Sequence, residues 1–190
     1  TDVRAQYFDV SGSDREDYWL DGAYMVNPKF KIKYAFHYWK TDITGKEESD
    51  VNELRIKGIY FPTQGVLGEW KYKLAVGAEW IDSANNEDKG IGTGSDQIAP
   101  LVGLALVKGN TVLVPLMQHF QSYAGPDLSQ TSFRLIAIQS LENNYWAKLD
   151  AKVPIDWEND NAIPATGEVQ LGKMFTSSFG LYADALFGIG

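Results

Sequence analysis

His37 and His119 are the two histidines of this sequence, and it has no cysteine. Proton transfer near neutrality therefore rests on two imidazoles. Thiolate nucleophiles, disulfides and cysteine-held zinc or iron–sulfur centres are excluded. A hydrolytic pair needs a hydroxyl within hydrogen-bond reach of one of those rings. Ser122, Ser132 and Ser140 are the candidate nucleophiles, and lipid-ester cleavage is the chemistry such a pair would perform in a membrane. His119 and Ser122 are three residues apart, and on a strand residues so spaced point to opposite faces. They cannot pair with each other, which leaves only a serine on a neighbouring strand. The expectation is a chain with no catalytic residue, no enzyme activity and no cofactor.

The acidic residues fall in clusters: Asp14, Glu16 and Asp17; Glu47, Glu48 and Asp50; Glu87 and Asp88; Glu158 and Asp160. None has the D-x-D-x-D-G spacing of a calcium loop, so they read as solvated surface and no metal is expected. Gly90-Ile91-Gly92-Thr93-Gly94 has no following Lys-Ser/Thr and no helix to open, which makes it a mobile loop and not a phosphate cradle. With 17 Lys+Arg against 25 Asp+Glu, a net charge of −8, the chain lacks the basic face that nucleic acid requires. A hydrophobic content of 44%, with 6 Trp, 10 Tyr and 9 Phe, argues against disorder.

What must position these groups is a set of strands. Trp70, Tyr72, Leu74, Val76, Ala78 and Trp80 alternate with Lys71, Lys73, Ala75, Gly77 and Glu79. Residues 30–39 and 145–157 alternate in the same way. A period of two excludes helix and predicts strands with one apolar and one polar face. Eleven such segments are legible, near residues 3–11, 17–27, 30–43, 52–62, 68–83, 97–108, 111–124, 130–142, 145–158, 167–177 and 179–190. Several reach the 9–11 residues that a tilted strand needs to cross a bilayer. Tight turns at residues 27–29, 108–111, 142–144 and 176–178 alternate with longer polar loops at 11–16, 44–51, 83–97, 124–129 and 158–166. The connection 62–68 breaks the rule. Short turns on one side and long loops on the other are the pattern of an outer-membrane barrel. Trp70, Tyr72 and Trp80, and likewise Tyr145 and Trp157, bracket apolar stretches as interface aromatics do.

The predicted fold is therefore all-β: one antiparallel up-and-down transmembrane β-barrel domain over residues 1–190, in the bacterial outer membrane and in contact with its lipid. The alternative is a soluble lipocalin-like or sandwich protein, which the mean hydropathy of −0.26 does not separate from a barrel. Single-chain bacterial barrels close with an even strand number, so a twelfth strand is expected beyond residue 190. The opening Thr1-Asp2-Val3-Arg4 lacks the apolar stretch of a signal peptide, in keeping with a signal already removed.

With the apolar set toward lipid, the lumen-lining set is Lys31, Lys33, His37, Arg55, Lys57, Lys71, Lys73, Glu79, His119, Gln121, Lys148, Asp150, Lys152, Asp156, Tyr182 and Asp184. Lys31 through Lys73 form a basic wall toward the tight-turn end. One reading is a porin-like channel favouring small anionic or polar solutes. A second is a structural or adhesion barrel whose lumen is plugged by Lys/Arg–Asp/Glu pairs. Residues 101–107 and 135–138 are apolar on both faces. They fit a subunit contact, a dry lumen wall or a lateral opening for apolar solutes.

Three runs carry a resemblance: Gln118-His119-Phe120-Gln121-Ser122-Tyr123-Ala124-Gly125, then Asp156-Trp157-Glu158-Asn159, then Leu171-Gly172-Lys173-Met174-Phe175. Their order and separation resemble the outer-membrane channel family associated with the meta-pathway of phenol degradation. The resemblance covers about a third of the chain. It implies a twelve-stranded channel for passive uptake of small or hydrophobic molecules. Read physically, the first two runs end strands at outer loops, where Trp157 would anchor an interface and Gln, Ser and Asn would satisfy backbone groups. Lys173 is a possible partner for Asp156.

Overall fold

The computed structural model describes residues 1–10 and 13–189. They form β1 (Asp2–Val10), β2 (Ser13–Asn27), β3 (Phe30–Thr41), β4 (Glu48–Tyr60), β5 (Gln64–Leu67), β6 (Trp70–Asp82), β7 (Asp96–Lys108), β8 (Thr111–Ala124), β9 (Ser129–Ser140), β10 (Tyr145–Asp156), β11 (Ala165–Met174) and β12 (Gly180–Ile189). Two single 3-10 turns, Glu87–Lys89 and Glu142–Asn144, complete the described secondary structure. The strands make one sheet in sequence order, β1-β2-β3-β4-β6-β7-β8-β9-β10-β11-β12, with β5 folded back on β6. The eleven strands of this path match the eleven alternating segments. β5 occupies the long connection that broke the turn rule, pairing Gln64 with Lys73 through Leu67 with Trp70.

Burial runs opposite to that of a soluble protein. Ile81, Ile91 and Ala99 are the buried apolar residues among those described. The buried polar set includes Asp17, Glu79, Gln97, Gln118, Ser132, Asp150 and Gln170, while Leu54, Leu171 and Leu181 stand exposed on the other face. A sheet that hides its carboxylates and shows its leucines has apolar solvent on the leucine side.

The ladder corrects one expectation and adds one irregularity. Residues 13–16 continue β2 in register with β1, Tyr7 opposite Glu16 and Asp9 opposite Asp14, so the expected loop at 11–16 is shorter than predicted. Ser11 and Gly12 of that loop lie outside the described residues, as does Gly190. On β4 the register slips by one between Glu53 and Val51, leaving Asn52 as the extra residue of a bulge. Asn52 is buried, with its Oδ1 over Gly92.

The chain divides into two compact units. The first comprises residues 1–60, 77–100 and 120–128; the second comprises 61–76, 101–119 and 129–190. In the first, the glycine-rich loop is packed against its neighbours. Ile91 is fully buried, Ser83 N and Oγ both donate to Asp96 Oδ1 at 3.0 Å, and Asn86 Nδ2 donates to the Val51 carbonyl at 2.9 Å. Ser95 Oγ donates to the Pro126 carbonyl at 2.7 Å. Alternating Gly90, Gly92 and Gly94 all have positive φ, which lets the backbone fold inward there. In the second unit, the pairing of β9 with β10 is regular from Trp146–Ser140 to Asp156–Gln130.

Candidate functional site

On the polar face of the first unit, β2, β3, β4 and β6 bring one charged cluster together. His37 Nδ1 lies 3.1 Å from Glu53 Oε1, and the Arg55 guanidinium reaches the same carboxylate oxygen with Nε and Nη2, each at 2.6 Å. Lys57 Nζ lies 2.9 Å from Glu79 Oε2. Asp21, Lys33, Arg55, Lys57 and Glu79 line a polar hollow of about 70 Å³. Arg15 pairs with Asp17 at 3.1 Å and covers the Trp39 ring. In the loop of this unit Lys89 pairs with Asp50, a hydrogen bond that raises the Lys89 pKa above its ordinary 10.5.

The second unit has its own charged cluster. Asp150 accepts a two-pronged bond from Arg134, Nε to Oδ1 at 2.6 Å and Nη2 to Oδ2 at 2.5 Å. Lys148 Nζ lies 3.2 Å from Asp150 and 3.9 Å from Glu168. Tyr182 stands 5.7 Å from the Trp146 ring, and Asp184 is in register with Gln170. Lys152 is in register with Arg134. Lys73 sits over the Phe61 ring at 3.9 Å, Lys71 is exposed opposite Val66, and in the first unit Lys31 lies opposite Ile59. Asp156 accepts from the Glu158 N–H at 3.2 Å and so closes its own turn. Lys173 is not its partner: it faces Tyr145 across the ladder and lies 4.6 Å above that ring.

Two of the predicted lumen residues belong to the other face. On β8, Gln118 is buried on the polar face, whereas Pro115, Met117 and Tyr123 are exposed. Strand parity therefore places His119 and Gln121 on the apolar face. There His119 Nδ1 lies 3.0 Å from Thr131 Oγ1, and Trp157 Nε1 donates to the same hydroxyl at 3.0 Å. The expected interface aromatics Trp80, Tyr72 and Trp70 also share the parity of that face. Trp80 Nε1 donates to Tyr123 Oη at 2.7 Å, Tyr72 covers Gly65, and Trp70 lies 6.0 Å from Lys108 Nζ. Ser122 serves the backbone, its Oγ accepting from Leu128 N–H at 2.8 Å.

In the second unit the apolar face also carries a cavity of about 510 Å³, lined among others by Leu74, Val102, Leu104, Met117, Phe133 and Val153. It opens where residues 101–107 and 135–138 read as apolar on both faces.

Sequence reading missed Glu53, Arg134 and Thr131. Glu53 shares parity with Arg55 and Lys57 and was findable on that ground, whereas the doubly apolar stretch after Arg134 hid its parity. Thr131 was findable: it shares parity with Phe133 and Leu135, on the strand that follows His119's own.

No family model and no curated protein matches the chain. Among solved structures it is similar to the outer membrane phospholipase A from Escherichia coli, with a TM-score of 0.57 over 99% of this chain and 80% of that one, at 13% identity. An identity this low shows a shared fold, that of an outer-membrane β-barrel, and displaces the soluble alternative. It also overturns the expectation that the chain is not an enzyme. An enzyme carries this fold, and the missing in-strand His–Ser pair gives no ground for excluding catalysis when a neighbouring strand brings a hydroxyl to His119.

Proposed function

We propose that the protein works in the bacterial outer membrane as a β-barrel for passive uptake of small apolar molecules, taken at the cavity in its apolar face. The inverted burial and the barrel fold support the location. The cavity carries the reading: about 510 Å³, it falls within the usual range for small-molecule sites. Apart from Arg134 its walls are aliphatic and aromatic, and it lies in the stretch that fits a lateral opening. This agrees with the hydrophobic solutes implied by the resemblance to the phenol-degradation channel family. Anions are the weaker candidate, because Arg55, Lys57, Arg134 and Lys148 each have a carboxylate partner.

The test is uptake of a radiolabelled monoaromatic hydrocarbon by vesicles containing lipopolysaccharide, with and without refolded protein. Protein should accelerate uptake, and Val102→Trp, which fills the cavity, should abolish the gain. Equal uptake by protein-free vesicles, or full uptake by Val102→Trp, would sink the reading. The same ion pairs favour a second reading, a charge-plugged structural barrel, which predicts no added permeability to any solute.

A further inference from the structure

We infer that Thr131, His119 and Trp157 form an acyl-ester-cleaving site on the apolar face, acting on lipid esters. The inference is independent of the uptake reading and rests on a different observation.

An indole N–H can only donate, so the 3.0 Å contact from Trp157 Nε1 occupies one lone pair of Thr131 Oγ1. The hydroxyl keeps its own proton, and His119 Nδ1 stands 3.0 Å away to accept it when the imidazole carries its hydrogen on Nε2. A hydroxyl held between a donor and a base is the arrangement of an activated nucleophile. Its setting is what calls for a ligand. His119 shares its face with Met117 and Tyr123, and Thr131 shares its face with Phe133 and Leu135, side chains that stand exposed. A polar triplet on such a face meets amphipathic molecules and not dilute aqueous substrates. Thr131 is the third residue of β9, His119 lies five residues before the end of β8, and Trp157 directly follows β10, so all three lie in the loop-side half of their strands. Strand ends of a spanning sheet lie at the depth where ester groups join acyl chains to headgroups. Met117 and Phe133, one pleat further along the same face, line the apolar cavity, which gives an acyl chain somewhere to lie.

The chemistry balances with water as the second substrate. The Thr131 O–H bond breaks, its proton passes to His119 Nδ1, and a bond forms from Oγ1 to the ester carbonyl carbon. Collapse of the tetrahedral adduct breaks the ester C–O bond, and the departing alkoxide takes the proton from His119. Water then adds to the acyl-threonine while His119 accepts its proton, and the adduct releases a carboxylic acid and restores Thr131. The Trp157 N–H, donating to Oγ1, holds the hydroxyl in place for the attack.

The test uses the refolded full chain in detergent micelles, with a p-nitrophenyl acyl ester and a phosphatidylcholine as substrates and a fluorophosphonate as covalent probe. Folding of each variant is checked by its circular dichroism and its heat-dependent gel mobility. Wild type should release acid from both substrates and carry the probe on Thr131 by peptide mass spectrometry. His119→Gln should lower kcat by roughly 10²- to 10⁴-fold, the scale of general-base catalysis, with KM little changed. Thr131→Val should remove turnover and labelling, whereas Thr131→Ser should keep both. A folded wild type that neither turns over nor labels, or a Thr131→Val that turns over normally, would overturn the inference. Because Thr131 is outside the cavity lining, Thr131→Val should lose turnover and labelling with hydrocarbon uptake intact, and a wild type that labels but does not accelerate uptake would overturn the uptake reading alone.

Discussion

Trp19 and His37 are register partners across the β2–β3 ladder, and their rings stack flat, 4.7 Å between centroids and 7° between planes. The stack fixes His37 against one wall while its Nδ1 meets Glu53. One of the two imidazoles is thus committed to the charged cluster of the first unit, and the other, His119, stands on the opposite face beside a hydroxyl. The same residue type meets different partners because strand parity delivers it to different faces.

Glu53 is the hub of the first cluster. Glu53→Gln leaves the Arg55 guanidinium without its carboxylate, and uncompensated charges at partly buried sites cost about 3–5 kcal/mol. His37→Phe keeps the ring against Trp19 and removes only one hydrogen bond, a loss of about 1–2 kcal/mol. Urea unfolding in detergent micelles, followed by tryptophan fluorescence, should rank the two variants in that order. The reverse order would mean that the stack, and not the charge pairing, holds these strands.

In the second unit the ranking should turn on geometry. Arg134 meets Asp150 with two nitrogens, and Lys148 supplies a second cation to the same carboxylate. Arg134→Lys loses the fork but keeps a charge, so it should cost only about 1 kcal/mol. Asp150→Ala leaves two cations facing each other and should cost about 3 kcal/mol or more. The same unfolding measurement decides it; equal effects would show that Lys148 already satisfies Asp150 unaided.

The strand set was legible because alternation is a local property: Trp70 through Trp80 announce their faces without help from any partner. Facing on β8 was not, since Gln118 and His119 are both polar and either could take the polar side. What decides it is the exposed Pro115 and Met117, whose parity His119 shares. The pairing of charges was legible only as a rule that buried ions need partners. Which carboxylate meets which cation depends on register, and the unbroken β3–β4 ladder from Phe30–Tyr60 sets Glu53 opposite His37, two residues from Arg55 on the same face. The packing of the glycine-rich run 90–94 was hidden for a related reason. Its glycines signal an unusual backbone, but only tertiary contact reveals that Ile91 is the residue they bury.

That loop should behave as a packed element. Gly125 has φ +77, and a Cβ there would lie 1.9 Å from the Gly94 carbonyl oxygen. Gly125→Ala must push this backbone off its seat. We expect the wild-type loop to resist trypsin at Lys89 in the folded protein, and Gly125→Ala to be cut there at least tenfold faster with the sheet intact by circular dichroism, since opening lowers the local barrier by more than about 1.4 kcal/mol. Equal cutting rates would mean the loop is loose already.

The last prediction concerns how pH acts on the same loop. Lys89 has its pKa raised above 10.5 by the hydrogen bond with Asp50. A cation whose pKa is higher folded than unfolded stabilises the folded form fully below its unfolded value, and that contribution fades as pH rises through the folded value. The latch should therefore be constant from neutrality to about pH 10 and weaken only above it. Salt should weaken it at every pH, because both side chains are partly exposed to solvent. Hydrogen exchange at the amides of residues 84–90 reads this directly, through protection that holds across the neutral range and drops at high pH. Lys89→Met should show the lower protection already at pH 7 and lose the alkaline step, while the amide of Ile91, buried by apolar packing, should keep its protection in both proteins. An alkaline step that survives in Lys89→Met would assign it to another group.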